Sequence, residues 1–257
     1  MEDLPRLVCE LTPPPLSAIQ WSQQLNLPLT SEAPDQGFYL VYDAQGLGLS
    51  RAGDSAHPLR IDLLNGALAH RLHQGGGAGQ AVAKACGLKP GIRPSIFDAT
   101  TGLATDALIL ASLGCSLVAA ERHPWVAALV TDALQRASQL DWVSNLQLVH
   151  AEAAQWMRDW PASGRPVPQV VYLDPMFPET RQTAQVKKGM AYFRDLIGQD
   201  QDADALLPLA LTLASHRVVV KRPKKAPYLN QQAPSFSLQG QANRFDVYAL
   251  KKLSADD

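Results

Sequence analysis

From residue 95 onward the chain alternates short apolar runs with longer segments of helical period. Runs at 95–99, 116–121, 146–151, 170–174, 217–222 and 244–250 read as strands, and stretches at 103–113, 124–140, 153–160 and 202–215 read as helices. Val170-Val171 and Val218-Val219-Val220 are apolar at consecutive positions, where a half-exposed strand would alternate with polar residues. Strands apolar on both faces, with helices between them, predict a mostly parallel α/β sheet covered on both sides. Segments 235–239 and 244–250 lie too close together for a crossover helix. They predict a hairpin that brings one antiparallel strand into a seven-stranded sheet.

Upstream the pattern is weaker. Residues 1–60 read as a small irregular region that includes Pro13-Pro14-Pro15, with a strand at Phe38–Asp43 and a turn through Gly46 and Gly48. Residues 61–94 read as a helical connector: a helical start, a loop through Gly75-Gly76-Gly77-Ala78-Gly79, then a helix from Gln80 to Cys86 stopped by Gly87. The main domain is expected over 95–253. The chain's 257 residues suit one large α/β domain with a modest appendage.

Composition narrows the function classes. A net charge of −1 excludes the global basic field of a histone-like nucleic-acid binder, so any nucleic-acid contact has to come from a local patch. Cys9, Cys86 and Cys115 are far apart with no Cys-x-x-Cys pair, which disfavours a zinc site or a disulfide framework and suits a reducing compartment. His70 and His73 sit three apart on a helical segment without a third ligand, so no metal is expected. The opening MEDLPRLVCE lacks a basic-then-apolar leader pattern, and no apolar run approaches the roughly 18–20 residues that span a bilayer. A soluble cytoplasmic protein is expected.

Four constellations fall at the carboxyl ends of predicted strands, where open α/β sheets bind ligands. The first runs from Phe97 to Asp106: a strand delivers Asp98, a turn passes through Gly102, and a helix opens near Thr105 and Asp106. Such a helix start offers backbone N–H groups to a ligand, and glycine permits close approach. The second is Glu121-Arg122, 19 residues past Gly102, placed to accept ribose hydroxyls. These two features alone leave a nicotinamide dinucleotide and S-adenosylmethionine both open. The third is His150-Ala151-Glu152-Ala153, where an acid could receive an adenine amino group. The fourth is Asp174-Pro175-Met176-Phe177-Pro178. Its carboxylate and a backbone carbonyl can accept hydrogen bonds from an exocyclic amine while Phe177 stacks on the ring. It looks like a variant of the Asp/Asn-Pro-Pro-aromatic element of enzymes that methylate exocyclic amines. Arg181, Lys187, Lys188, Lys221 and Arg222, followed by Lys224 and Lys225, are expected on the same rim as phosphate contacts, with His70, Arg71 and Gly76 extending that surface.

Several of these strings together resemble a known family. Asp98–Asp106, Glu121-Arg122-His123-Pro124, Val170–Pro178, Val218-Val219-Val220-Lys221-Arg222-Pro223, Asn65–Arg71 and Arg244–Tyr248 are similar to the bacterial small-subunit rRNA guanine-N2 methyltransferases of the J type. The similarity covers about residues 60–250. It implies a class I methyltransferase fold of Rossmann-like form, S-adenosylmethionine as donor, and N2 methylation of one guanosine in 16S rRNA. It also implies cofactor contacts from Thr105, Asp106, Glu121, Arg122, Glu152, Ala153 and Asp174. The chain departs from the family at Thr101, Ala104 and Thr105, where Ala, Gly and Arg are common, and at Glu152, where a small hydroxyl residue is usual. Competing readings are methylation of another planar amine in DNA or a protein glutamine, and a non-catalytic RNA-binding or ribosome-assembly protein on the same fold. A nicotinamide dehydrogenase is weaker, because the fingerprint glycines are missing.

Overall fold

The computed structural model describes residues 5–55, 57–74, 77–176, 192, 195–198, 202–240 and 243–254. Seven strands form the main sheet: β5 (Ile96–Asp98), β6 (Leu117–Glu121), β7 (Leu146–His150), β8 (Val170–Leu173), β9 (Arg217–Pro223), β10 (Phe236–Gln239) and β11 (Asn243–Ala249). Their spatial order is β10-β11-β9-β8-β5-β6-β7. Strands β5 to β9 are mutually parallel, and β11 runs antiparallel to both β9 and β10. From β5 the chain steps outward to β6 and β7, then returns to place β8 on the other side of β5. The switch in strand order therefore lies between β5 and β8, and this is where the ligand crevice of an open α/β sheet forms.

The doubly apolar strands divide their side chains between two faces. Ile96, Leu117, Val170, Tyr172 and Val219 enter one hydrophobic cluster, and Phe97, Ala120, Val171, Leu173, Val218 and Val220 enter the other. Successive side chains of a strand point to opposite faces, so Val170 to Leu173 needs an apolar residue at every position. Helices α3 (Ala81–Cys86), α4 (Thr105–Ser112) and α5 (Pro124–Arg136) belong to the first layer, and α6 (Ala153–Asp159) and α7 (Ala203–Leu213) to the second.

The N-terminal region is more regular than its sequence suggests. It holds a four-stranded sheet of order β2-β1-β3-β4, from β1 (Leu7–Cys9), β2 (Leu29–Thr30), β3 (Phe38–Asp43) and β4 (Gly46–Arg51), with α1 (Leu16–Leu25) between β1 and β2. The expected turn through Gly46 and Gly48 is instead the start of β4, paired antiparallel with β3. Leu7, Trp21, Leu40, Leu47 and Leu49 join the same cluster as α4 and α5, so the two sheets share one continuous core. Asp132 of α5 accepts the Leu47 N–H at 3.1 Å, and Arg136 donates to Asp132 at 2.7 Å and to the Ile61 carbonyl at 2.8 Å. The connector forms α2 (Gly66–Gln74) before α3.

Candidate active site

At the end of β5 the chain turns sharply into α4. Gly102 takes φ 53° and Ala104 takes φ 59° as the residue before the helix. Glycine adopts this left-handed backbone without penalty, whereas alanine carries a cost for its Cβ. The turn aims the Gly102 N–H at Oε2 of Glu121, 2.8 Å away at the end of β6. Oε1 of Glu121 accepts the His123 N–H at 2.7 Å. The buried carboxylate is thus pinned between the first turn and the head of α5, and its short contacts are those of charge-assisted bonds. At the tip of β7, His150 Nε2 lies 3.1 Å from the Arg122 carbonyl oxygen, and the Arg122 guanidinium pairs with Asp202 at 3.2 Å. Glu152 follows, exposed at the head of α6, with Ala153 buried behind it.

Across the switch point, β5 and β8 are tied at their tips. The Ala99 N–H donates to the Tyr172 carbonyl at 3.0 Å, and the Asp174 N–H donates to Thr100 Oγ1 at 2.5 Å. A charged network lies beneath. Lys221 of β9 donates from Nζ to Oδ2 of Asp106 and to Oδ2 of Asp174, both at 2.8 Å. The Tyr172 hydroxyl donates to the same Asp106 oxygen at 2.7 Å. Burial pushes the Asp98 carboxyl up to about 8; the Thr100 N–H and Lys221 oppose this, and the nearby Asp106 and Asp174 charges add to it. Burial works against the Lys221 ammonium, yet the Asp174 and Asp106 carboxylates outweigh it and hold its pKa above the usual lysine range. Burial, reinforced by Asp106 and Asp174, raises the Tyr172 phenol. Tyr172 therefore stays neutral and donates.

These groups line one cleft of about 1260 Å³. Asp98, Gly102, Thr105, Asp106, Glu121, Arg122, Glu152, Ala153 and Asp174 all face it, and so do Pro175 and Met176.

A family model described as "Putative SAM-dependent methyltransferase" matches residues 20–250. Ribosomal RNA small subunit methyltransferase J of Pseudomonas fluorescens is 48% identical over 243 residues, covering 93% of this chain and 92% of the relative. The chain belongs to the ribosomal RNA small subunit methyltransferase J family. Its counterpart from Pseudomonas aeruginosa is 47% identical over 242 residues, covering 92% of this chain and 91% of the relative. A crystallised SAM-dependent methyltransferase from Neisseria gonorrhoeae shares the fold with a TM-score of 0.76 at 33% identity, over 95% of each chain.

The methyl donor of this family of SAM-dependent methyltransferases is S-adenosylmethionine, and the residues present fit it. Asp106 and Asp174 share the ammonium of Lys221, two carboxylates to one cation at this point of the cleft floor. An anionic floor suits a donor that carries a sulfonium and an ammonium. Glu121, held by two backbone N–H groups, presents an oriented carboxylate to hydroxyl donors.

The structure redistributes the residues expected on the methyltransferase's RNA-facing rim. Arg71, on α2, lines the cleft and donates to Gln80 at 3.2 Å, and His70 is exposed beside it. Lys221 is not a rim cation; it is the ion-pair partner of Asp106 and Asp174 inside the cleft. Arg222 is also displaced from the rim. It is buried, with Nε and Nη2 each donating to the Pro227 carbonyl at 3.2 Å. A cation next to two carboxylates gains more from them than from water, and residues 47 and 115 positions apart announce no such proximity in the sequence. Phe177, Gly76, Arg181, Lys187 and Lys188 lie outside the described residues. Gln80, Lys84, Gln239 and Asn243 line the cleft without having been anticipated. Tyr172 offered a signal, as the one polar-tipped side chain in an otherwise aliphatic strand.

Proposed function

We propose that this protein methylates the exocyclic N2 of a single guanosine in 16S rRNA, and that Asp174 receives the acceptor amine. The observation that carries this reading is the place of Asp174. It lies at the tip of β8 beside the switch point, in the same cleft as Glu121 and directly followed by Pro175.

Bound in the cleft, S-adenosylmethionine supplies a methyl already activated by positive sulfur: the N2–C bond forms as the C–S bond breaks, and the electron pair stays on sulfur as a neutral thioether. The protein's task is to hold and orient. Glu121 accepts hydrogen bonds from the ribose hydroxyls, and the turn before α4 lets the donor come close to the protein backbone at Gly102. Asp174 accepts a hydrogen bond from N2–H, and the Pro175 carbonyl accepts a second. Guanine N2 is a weak nucleophile because its lone pair is delocalised into the ring. Two acceptors on its hydrogens draw the lone pair out of conjugation and towards the methyl. The proton displaced from N2 passes to Asp174 or to water. Phe177, two positions past Pro175 in the sequence, stacks on a base turned out of its helix, as enzymes acting on bases require. Arg71 contacts the RNA backbone without reading sequence. The relatives from Pseudomonas, which are ribosomal RNA small subunit methyltransferases, favour this acceptor over DNA or protein.

The test is mass mapping of methylated guanosines in 16S rRNA from cells that lack the protein and from the same cells regaining it. One N2-methylguanosine should vanish and return. Asp174→Ala should fail to restore it while melting within a few degrees of the wild type. An unchanged rRNA map, with label from the donor entering DNA or protein instead, overturns the acceptor; full activity of Asp174→Ala removes that residue from the mechanism.

A further inference from the structure

We infer that Lys221 is a positioning residue: its ammonium ties Asp174, on the acceptor side, to Asp106 in the first turn of the cofactor-side helix, and so sets the direction of the Asp174 carboxylate. This rests on the reading of Asp174 as the amine acceptor.

The geometry is a bridge with a fixed anchor. Asp106 Oδ2 receives both the Tyr172 hydroxyl at 2.7 Å and the Lys221 ammonium at 2.8 Å, so the anchor oxygen is held from two elements. Tyr172 is buried and the Asp106 side chain only 9% exposed, whereas the Asp174 side chain is 38% exposed at the cleft mouth. Lys221 spans the two, at 22% exposure. The backbone bond from the Asp174 N–H to Thr100 fixes the main chain at the strand tip but not the direction of the side chain. The 2.8 Å contact from the Lys221 ammonium to Oδ2 acts on that direction. The bridge also favours the ionised form of the two carboxylates it joins. Asp98 of β5 and Tyr172 of β8 both feel the charges of Asp106 on α4 and of Asp174 just past β8, with the buried Cys86 of α3 behind them. Lys221 is the cation among these groups. Without it, Asp106 and Asp174 face each other with no ammonium between them, and like charges at short range retain a proton to higher pH. An acceptor site that holds a proton in place of a lone pair no longer draws on N2–H.

The experiment compares Lys221→Met and Lys221→Arg with the wild type in the full-length protein. Three readouts are taken: kcat on small-subunit rRNA between pH 6 and 9.5, calorimetric binding of S-adenosylhomocysteine, and a carbon-13 NMR titration of the aspartate carboxyls. Lys221→Met should lose about 30-fold or more in kcat at pH 7 and regain part of it towards pH 9, with the dissociation constant for S-adenosylhomocysteine within about threefold of the wild type. Its carboxyl transitions should move up by about one pH unit or more. Lys221→Arg restores the charge and should recover kcat to within about fivefold and the carboxyl transitions towards the wild type. A merely structural lysine would lower activity equally at every pH and leave the carboxyl titration in place. Either result overturns the inference, and so does a Lys221→Met kcat within threefold of the wild type. If Lys221→Met does not fold, Lys221→Arg decides alone: it must keep activity and the wild-type carboxyl titration. The NMR titration needs no RNA, so an inactive wild type on rRNA sinks the proposed acceptor while the titration still judges the bridge.

Discussion

Replacing Glu121 by Gln separates the two tasks of that carboxylate. Both of its oxygens are engaged by the protein: Oε2 by Gly102 N–H at 2.8 Å and Oε1 by His123 N–H at 2.7 Å. A glutamine amide has one oxygen and one NH₂, so at least one backbone N–H would then face another donor. Leaving one buried donor without a partner costs about 1–3 kcal/mol of stability. The effect on donor binding is separate. A charged acceptor to a ribose hydroxyl contributes about 1.5–3 kcal/mol, and its loss raises the dissociation constant roughly 10- to 150-fold. Calorimetric titration with S-adenosylhomocysteine reads the second quantity and urea unfolding the first. Both should move. Binding within threefold of the wild type would refute the reasoning, because it would mean that Glu121 shapes the turn without touching the ligand. A shift in binding without a loss in stability would show that the turn tolerates the amide and that the two backbone bonds matter little.

Two further outcomes follow from the charged groups. Asp246 is fully buried, and its carboxylate accepts Arg244 at 2.9 and 3.0 Å and Ser237 at 2.6 Å, while Arg244 also donates to the Lys224 carbonyl at 2.8 Å and lies over the Tyr228 ring. Asp246→Asn leaves a buried guanidinium half-paired and should cost about 3–5 kcal/mol in urea unfolding; a loss under 1 kcal/mol would contradict the pairing. Asp98 links stability to pH. Its carboxyl is raised to about 8 in the folded protein from 3.8, so between those values the native state holds a proton that the unfolded state has released. The contribution of Asp98 is therefore fully present below about pH 4 and lost as pH rises through about 8. Asp98→Asn keeps an oxygen for the Thr100 N–H and should flatten that decline, gaining on the wild type as pH goes from 5 to 8.5. Parallel profiles for the two proteins would show that Asp98 does not titrate in this range.

The main sheet was legible because its signal is local. Val170 to Leu173 and Val218 to Val220 must be apolar at every position to serve two clusters, and that demand is visible without knowing the partners. The site was legible for a related reason: strand tips are places, and residues such as Asp98, Glu121 and Asp174 are found by their distance from a strand. The N-terminal sheet was not. β1 has three residues and β2 two, and each gains its meaning from parallel partners distant in sequence. β4 reads as a turn because of Gly46 and Gly48. Gly48 is there because a Cβ would come within 2.8 Å of Pro58, a close approach that no local pattern announces. Lys221 shows the same limit inside the site. Its residue type was noticed, but its role depends on Asp106, 115 residues away.

The seam between β4 and α5 bears on how this enzyme can be handled. Trimming the chain to its Rossmann-like half would strip Leu47 and Leu49 from the side of α5 and cut the bonds that Asp132 and Arg136 make to Leu47 and Ile61. A greasy stripe would be laid bare along a helix that feeds directly into the donor pocket through His123 and Glu121. A shortened fragment made for crystallisation or labelling should therefore precipitate, and the leading sheet is best kept as the solubilising coat of the catalytic half.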